Sequence, residues 1–223
     1  MRWKPFRDLY KYLYRKLDIL VRIFVPPGNK GRTRKLYTIW SKFYDISVKT
    51  DKNYLRGLHE TIDMSVSKGD VTLDIGCGTG FATFYAAKTS KKVIGIDISE
   101  AMVKKIQKKI DKKGVKNVEV LTGSFPEDIQ SPDKKFDSII SSHTFVHYGK
   151  KQRTDAYKAI FDLLKTGGTI GLFTTRGEIA PMFEKRDELI KNLKQSGFQN
   201  IETKHFPDVY LIAIAKKPHK PQK

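Results

Sequence analysis

Residues 73–80 read Leu-Asp-Ile-Gly-Cys-Gly-Thr-Gly. An apolar run from Val71 to Ile75 leads into glycines at alternate positions, Gly76, Gly78 and Gly80, and a helical pattern resumes near residue 80. Glycine permits sharp turns and lets a ligand lie directly against the backbone. The stretch therefore predicts a strand, a tight turn and a helix, with the turn held open to a ligand. A second apolar run, Lys92 to Ile98, contains Asp97 near its end. An acid roughly 20 residues beyond such a turn is placed to accept hydrogen bonds from ribose hydroxyls.

The rest of the chain repeats this alternation. Ser99 is the expected N-cap of a helix carrying Met102, Val103, Ile106 and Ile110, and Gly114 its stop. Strands are expected at Asn117–Thr122 and Phe136–Ser142, and a helix near 153–165 that stops at Gly167-Gly168. Thr169–Thr174 reads as a fifth strand, and Pro181 as the first residue of a helix ending at Gly197. Gln199–His205 and Val209–Ala215 are too close for a helical crossover and must pair as an antiparallel hairpin. The class is α/β: a Rossmann-like, doubly wound sheet of seven strands, mostly parallel, with one antiparallel strand at its end. Two helices are expected before it, near 33–45 and 52–66.

The turn narrows the ligand. A dinucleotide loop has the spacing G-x-G-x-x-G, and this chain has Phe81 at the third glycine's place. The P-loop pattern is absent. Asp74, just before the glycines, would repel a pyrophosphate and suits a cationic group such as an ammonium or sulfonium. Asp74-x-Gly76-x-Gly78-x-Gly80 followed by Gly95-Ile96-Asp97 resembles the class I S-adenosylmethionine (SAM)-dependent methyltransferases. Phe136-Asp137-Ser138-Ile139-Ile140 resembles that family's fourth strand. Leu163-Leu164-Lys165-Thr166-Gly167-Gly168 resembles its turn before the fifth. The likeness runs over about residues 34–217.

The resemblance implies SAM as cofactor, S-adenosylhomocysteine (SAH) as product, and no metal. It implies that the turn Asp74, Gly76, Cys77, Gly78, Thr79 and Gly80 holds the methionine end, with Cys77 as a small turn residue. Asp97 is expected on the ribose, and Ile98 and Met102 near the adenine. An acid that the family often has after the third strand is replaced by Ser124, so the adenine contact falls to Ser124 or to backbone near Phe125. Ser141 is expected in the same pocket.

A sulfonium is already activated, so the protein's task is to align the acceptor and exclude water. A base is needed only where the acceptor loses a proton. His143 and His147, after the fourth strand, are the candidates, with polar lining as the alternative. The Asn/Asp-Pro-Pro-aromatic stretch of base-amino methyltransferases is absent here: the chain reads Ser141-Ser142-His143-Thr144. Leu36-Tyr37-x-x-Trp40-x-x-Phe43-Tyr44-Asp45 resembles the helix preceding the core in quinone-biosynthesis and related small-molecule methyltransferases. There it folds over the cofactor as a lid, which makes Tyr44 a pocket candidate; packing on the sheet edge is the alternative.

The chain carries 43 Lys and Arg against 24 Asp and Glu, a net charge of +19 over 223 residues. That charge attracts nucleic acid, an anionic membrane or an anionic small substrate, or simply keeps the surface soluble. Trp3, Phe6, Tyr10, Leu13, Leu17, Leu20 and Phe24 share one helical face in a cationic segment. Residues 1–25 can cap the domain, lie on an anionic membrane, or grip RNA or a partner helix. The expected organisation is an N-terminal helix and linker over 1–33, a methyltransferase domain over 34–217 (34–66 as lid, 70–217 as core) and a basic tail over 218–223. A lone cysteine and no secretory signal suggest a cytoplasmic protein, peripheral to a membrane if the helix docks there. The first expectation is methyl transfer to a small-molecule or lipid-like acceptor; the alternatives are an RNA-modifying methyltransferase and a non-catalytic binding subunit.

Overall fold

The computed structural model describes residues 27–129, 135–179 and 183–219. The amphipathic segment 1–25 lies outside the described residues, as does most of the expected tail. Among the described residues, two helices precede the sheet: α1, Lys30–Thr50, and α2, Lys52–Ser65. The helix expected near 33–45 starts earlier, at Lys30, within the stretch up to residue 33 expected as linker. The Asn29 side chain accepts the Arg32 N–H at 2.9 Å and fixes that start. Asp51 does the same for α2, accepting the Tyr54 N–H at 2.9 Å.

The core then alternates: β1 Val71–Ile75, α3 Phe81–Ala86, β2 Lys92–Asp97, α4 Glu100–Lys113, β3 Val118–Thr122, β4 Phe136–Ser142, α5 Lys150–Leu163, β5 Leu164–Thr175, α6 Arg186–Gln195, β6 Gln199–Phe206 and β7 Tyr210–Lys216. Met102, Ile106 and Ile110 bury one face of α4, and Gly114 ends it at φ +63°. Leu73, Ile75, Ile96, Ile139 and Ile170 are almost wholly buried in the sheet. Each such side chain contributes roughly 1.5–3 kcal/mol by leaving water.

The strand order is β3-β2-β1-β4-β5-β7-β6. Pairing is parallel from β3 to β5, and β7 runs antiparallel to both its neighbours. The antiparallel strand is thus one in from the edge, not at the end. The two strands' composition explains this. β7 is buried at every position from Tyr210 to Ala215, whereas β6 is largely exposed. A continuous apolar run belongs inside a sheet and a polar one on its edge.

Three boundaries differ from expectation. α5 stops at Leu163, before the Gly167-Gly168 pair, and β5 begins at once. The glycines instead lie where the β4–β5 register slips, between the Phe136–Leu164 and Ser138–Thr169 pairs, with Gly167 at φ +80°. α6 begins at Arg186 rather than at Pro181, with Asp187 and Glu188 in its first turn, where acids suit the helix dipole. Pro181 itself lies outside the described residues. β1 and β4 leave the sheet on opposite sides of the point where strand order reverses, and the glycine turn emerges there.

Candidate active site

Gly76, Gly78 and Gly80 adopt φ values of +74°, +52° and +96°. At Gly76 packing reinforces the backbone requirement, because a Cβ would fall 1.9 Å from Thr144 Oγ1. A Cβ on Gly78 would meet nothing nearer than the Tyr44 ring at 3.8 Å, so this glycine faces an open cleft. The Gly76 and Cys77 N–H groups donate to the Ile96 carbonyl at 2.8 and 3.0 Å and lock the turn to β2. Asp97 Oδ2 accepts the Gly78 N–H and Oδ1 the Ser99 N–H, both at 2.8 Å. Burial raises the Asp97 pKa above the usual carboxylate value, against the lowering by these two N–H groups. Ser99 is the N-cap of α4, but its hydroxyl makes no capping bond; the aspartate takes its N–H instead.

The cleft at this edge holds about 790 Å³ of space between its walls, part of it open to solvent. Of the expected residues, Gly76, Gly78, Asp97, Ile98 and Met102 line one part of it. Ser124, Phe125, Tyr44, His143 and His147 line the rest. Asp74, Cys77, Thr79, Gly80 and Ser141 are not in its wall. Asp74 sits beneath the turn, 1% exposed, and accepts the Thr83 hydroxyl at 2.6 Å. Desolvation, with a smaller repulsion from Asp97, pushes its pKa up to about 7, against the Thr83 hydrogen bond. Cys77 packs against Gly95, and burial raises its thiol well above the ordinary value. Gly80 packs on Ile106 and Phe84, and the Ser141 hydroxyl donates to the Ile75 carbonyl at 3.0 Å. These residues build the turn rather than face the cleft.

Ser124 stands where an acid is often found, and two acids close in on it. Asp128 accepts its N–H at 2.8 Å and Glu127 its hydroxyl at 3.0 Å, while Glu127 pairs with Lys30 of α1 at 2.6 Å. Tyr148 donates to the Phe125 carbonyl at 2.7 Å. Burial drives the Tyr148 phenol well above its normal pKa, so it stays protonated as a fixed donor.

The opposite wall is built from side chains distant in sequence. Tyr37 of α1 and His147 face each other, with the Tyr37 hydroxyl 2.7 Å from His147 Nε2. The His147 carbonyl also accepts the Gly28 N–H at 2.7 Å, tying the approach to α1 onto this turn. His143 has φ +57°, an unusual conformation for a non-glycine residue that costs about 1–3 kcal/mol. It is held by its N–H bond to the Phe173 carbonyl at 2.8 Å and by the rings of Tyr54, Phe173 and Tyr210. Tyr37, Lys30, Thr33, Thr144 and Gln152 also line the cleft and were not singled out from the sequence. Tyr37 had a usable signal: it lies seven residues before Tyr44 and so on the same face of the helix. Thr79 bonds to α1, its hydroxyl donating to Asp45 Oδ1 at 2.5 Å, and Lys109 pairs with Asp45 Oδ2 at 2.7 Å.

The donor set fits an adenosyl ligand with a charged amino-acid end. Asp97 lines the cleft and accepts only one N–H on each oxygen, which leaves it capacity for further donors; Ile98, Met102 and Phe125 offer apolar surface, and the glycine turn admits close approach. Among the described residues, no three His, Cys, Asp or Glu side chains gather as a metal would require.

The family profile of a methyltransferase domain matches residues 72–168. The chain is 29% identical over 164 residues to the uncharacterized methyltransferase YdaC of Bacillus subtilis, covering 70% of this chain and 87% of that protein. It is 24% identical over 174 residues to the erythromycin 3''-O-methyltransferase of Saccharopolyspora erythraea, covering 64% of this chain and 55% of that one. Its fold superposes on a DhpI–SAH complex with a TM-score of 0.70 at 18% identity, over 84% of this chain and 95% of that one. With the seven-stranded sheet and the glycine turn, the matched methyltransferase domain and the methyltransferase relatives support the class I SAM-dependent methyltransferase superfamily. It is a SAM-dependent methyltransferase, and SAM is its cofactor.

Proposed function

We propose that this enzyme methylates a hydroxyl or amine of a small-molecule or lipid-like acceptor, and that Tyr37 and His147 together take up the acceptor's proton. The observation that carries this reading is their 2.7 Å contact on the wall of the cleft that also contains the glycine turn and Asp97. The likeness to a protein named as an O-methyltransferase favours a hydroxyl acceptor.

When bound, SAM supplies a methyl group on a sulfonium that needs no further activation. Asp97 would accept from the ribose hydroxyls. Ile98, Met102 and Phe125 would flank the adenine, with Ser124 at its edge, and the Gly76–Gly78 backbone would receive the amino-acid end. Asp74 would act from beneath, stiffening the turn through Thr83. Residues 34–66 would serve as the lid on the core of 70–217, with Tyr37 and Tyr44 shutting out water. As the acceptor oxygen becomes nucleophilic, its proton would pass to the Tyr37 oxygen, and the Tyr37 proton to His147 Nε2. This needs the tautomer with Nε2 bare. His143 would shape the acceptor's berth.

The test is transfer of labelled methyl from SAM into a cell extract, followed by fractionation. Label in low-mass or solvent-extractable material supports the proposal. Label confined to nuclease-sensitive material would replace it with an RNA acceptor, and label in protein alone would also refute it.

A further inference from the structure

The helix that lines the cleft has an outer face with a pattern of its own. Lys35, Ile39, Lys42, Ile46 and Lys49 are spaced four, three, four and three residues apart, and all are exposed. At 100° per residue they fall within an arc of about 80°. The opposite face of α1 carries Thr33, Tyr37 and Tyr44 into the cleft. Ile39 is 68% exposed and Ile46 58%. Two large aliphatic side chains this open to water, framed by cations on one stripe, are not the ordinary outside of a helix. Among the described residues, none of the three lysines is held in an ion pair. The one acid of α1, Asp45, lies on its flank and is bound to Lys109 of α4.

We propose that α1 is also a membrane-docking element that seats this stripe on an anionic lipid surface. Charge selects the occupant. A second copy of the chain would oppose the same lysines. The segment 1–25 is itself rich in Arg and Lys and would be repelled in the same way. RNA would satisfy the lysines but leave the isoleucines in water. A bilayer with acidic headgroups takes both: ammonium groups at the phosphate level, and aliphatic side chains in the boundary just below it. The inference concerns where the enzyme sits and does not depend on the identity of the acceptor.

The experiment is flotation of the full chain with phosphatidylcholine vesicles, with and without phosphatidylglycerol. Wild type should float only with the anionic vesicles. Lys35→Gln/Lys42→Gln/Lys49→Gln should weaken that binding about 100-fold, at roughly fivefold per lysine. Ile39→Gln/Ile46→Gln should weaken it about tenfold and, unlike the lysine effect, should do so at high salt as well. SAH affinity, measured in parallel, should be unchanged in both variants and reports an intact fold. Equal flotation of wild type and both variants would overturn the proposal. So would binding that ignores phosphatidylglycerol, or a lysine-dependent affinity for RNA that the isoleucine variant leaves intact.

Discussion

The two walls of the cleft are made differently. The wall with the glycine turn and Asp97 is set by backbone: the positive-φ glycines Gly76 and Gly78, two N–H groups on the Ile96 carbonyl, and a carboxylate gripped by two more N–H groups. Its parts lie within 22 residues, from Gly76 to Asp97, at the ends of adjacent strands. The facing wall is side chain: Tyr37 meets His147 across 110 positions, and His143 is held in a strained conformation by rings from α2, β5 and β7. The first wall suits a constant ligand, because backbone geometry changes little with substitution. The second can be altered one side chain at a time, which suits the part of a site that selects an acceptor.

This contrast predicts that the walls can be damaged separately. The largest effect should come from His147→Gln, which keeps a polar side chain but removes the proton acceptor. Turnover should fall about 100-fold or more, with SAH affinity within about twofold of wild type. Tyr37→Phe should fall about tenfold in the same assay. If His143→Gln abolishes turnover while His147→Gln leaves it intact, the base has been assigned to the wrong histidine. Next comes Asp97→Ala, which removes the charge-assisted contacts to the ribose and should weaken SAH about 100-fold by calorimetry. Gly78→Val tests the same wall without touching a charge, since its side chain would enter the open cleft at a positive φ. Unchanged SAH affinity in both would remove the cofactor wall from this place.

A third, smaller effect lies under the turn. Asp74 holds its proton up to about pH 7 in the folded chain, but only to about pH 4 when unfolded. Between these values the folded state binds more protons, so raising the pH costs stability. The cost grows from about pH 4 to 7 and reaches at most about 4 kcal/mol. Asp74→Asn can still accept from Thr83 and has no charge to bury. Its denaturation midpoint should therefore rise relative to wild type across that window and stay above it at higher pH. A constant difference between the two from pH 4 to 8 would show that Asp74 is not buried as a titrating acid.

The same contrast explains what the sequence could reveal. The glycine turn, Asp97 and the α4 face are local patterns, so spacing alone located them. The β6–β7 hairpin was legible from its short connection; the order in which the two strands join the sheet was not, although it was present in their composition, since only β7 is buried from Tyr210 to Ala215. Asp74 was misplaced because spacing shows that an acid precedes the glycines without showing that the sheet buries it. Lys30 and Gln152 reach the cleft only because α1 docks beside the start of α5, a tertiary fact with no periodic signature. Tyr37 was within reach through its helical phase with Tyr44, but its partner His147 was not.

The smallest effect concerns the joint between the two walls. Asp45 on α1 accepts from Thr79 on the glycine turn and pairs with Lys109, which also donates to the Thr79 carbonyl at 2.8 Å. Lys105 adds a bond to the Ser41 carbonyl. Burial raises the Asp45 pKa, but the Lys109 and Thr79 hydrogen bonds outweigh it and hold the carboxyl below its usual range. The clasp should therefore persist at neutral pH and be lost only as pH falls below about 4. It is partly exposed, so its energy is that of a screened pair, about 1 kcal/mol. Asp45→Asn should weaken SAH about three- to fivefold by loosening α1 from the turn, with the loss shrinking in high salt. His147→Gln should not change that loss, because its wall contributes to turnover rather than to cofactor affinity. If Asp45→Asn and His147→Gln prove strongly coupled in SAH binding, the two walls act as one unit and the division between them fails.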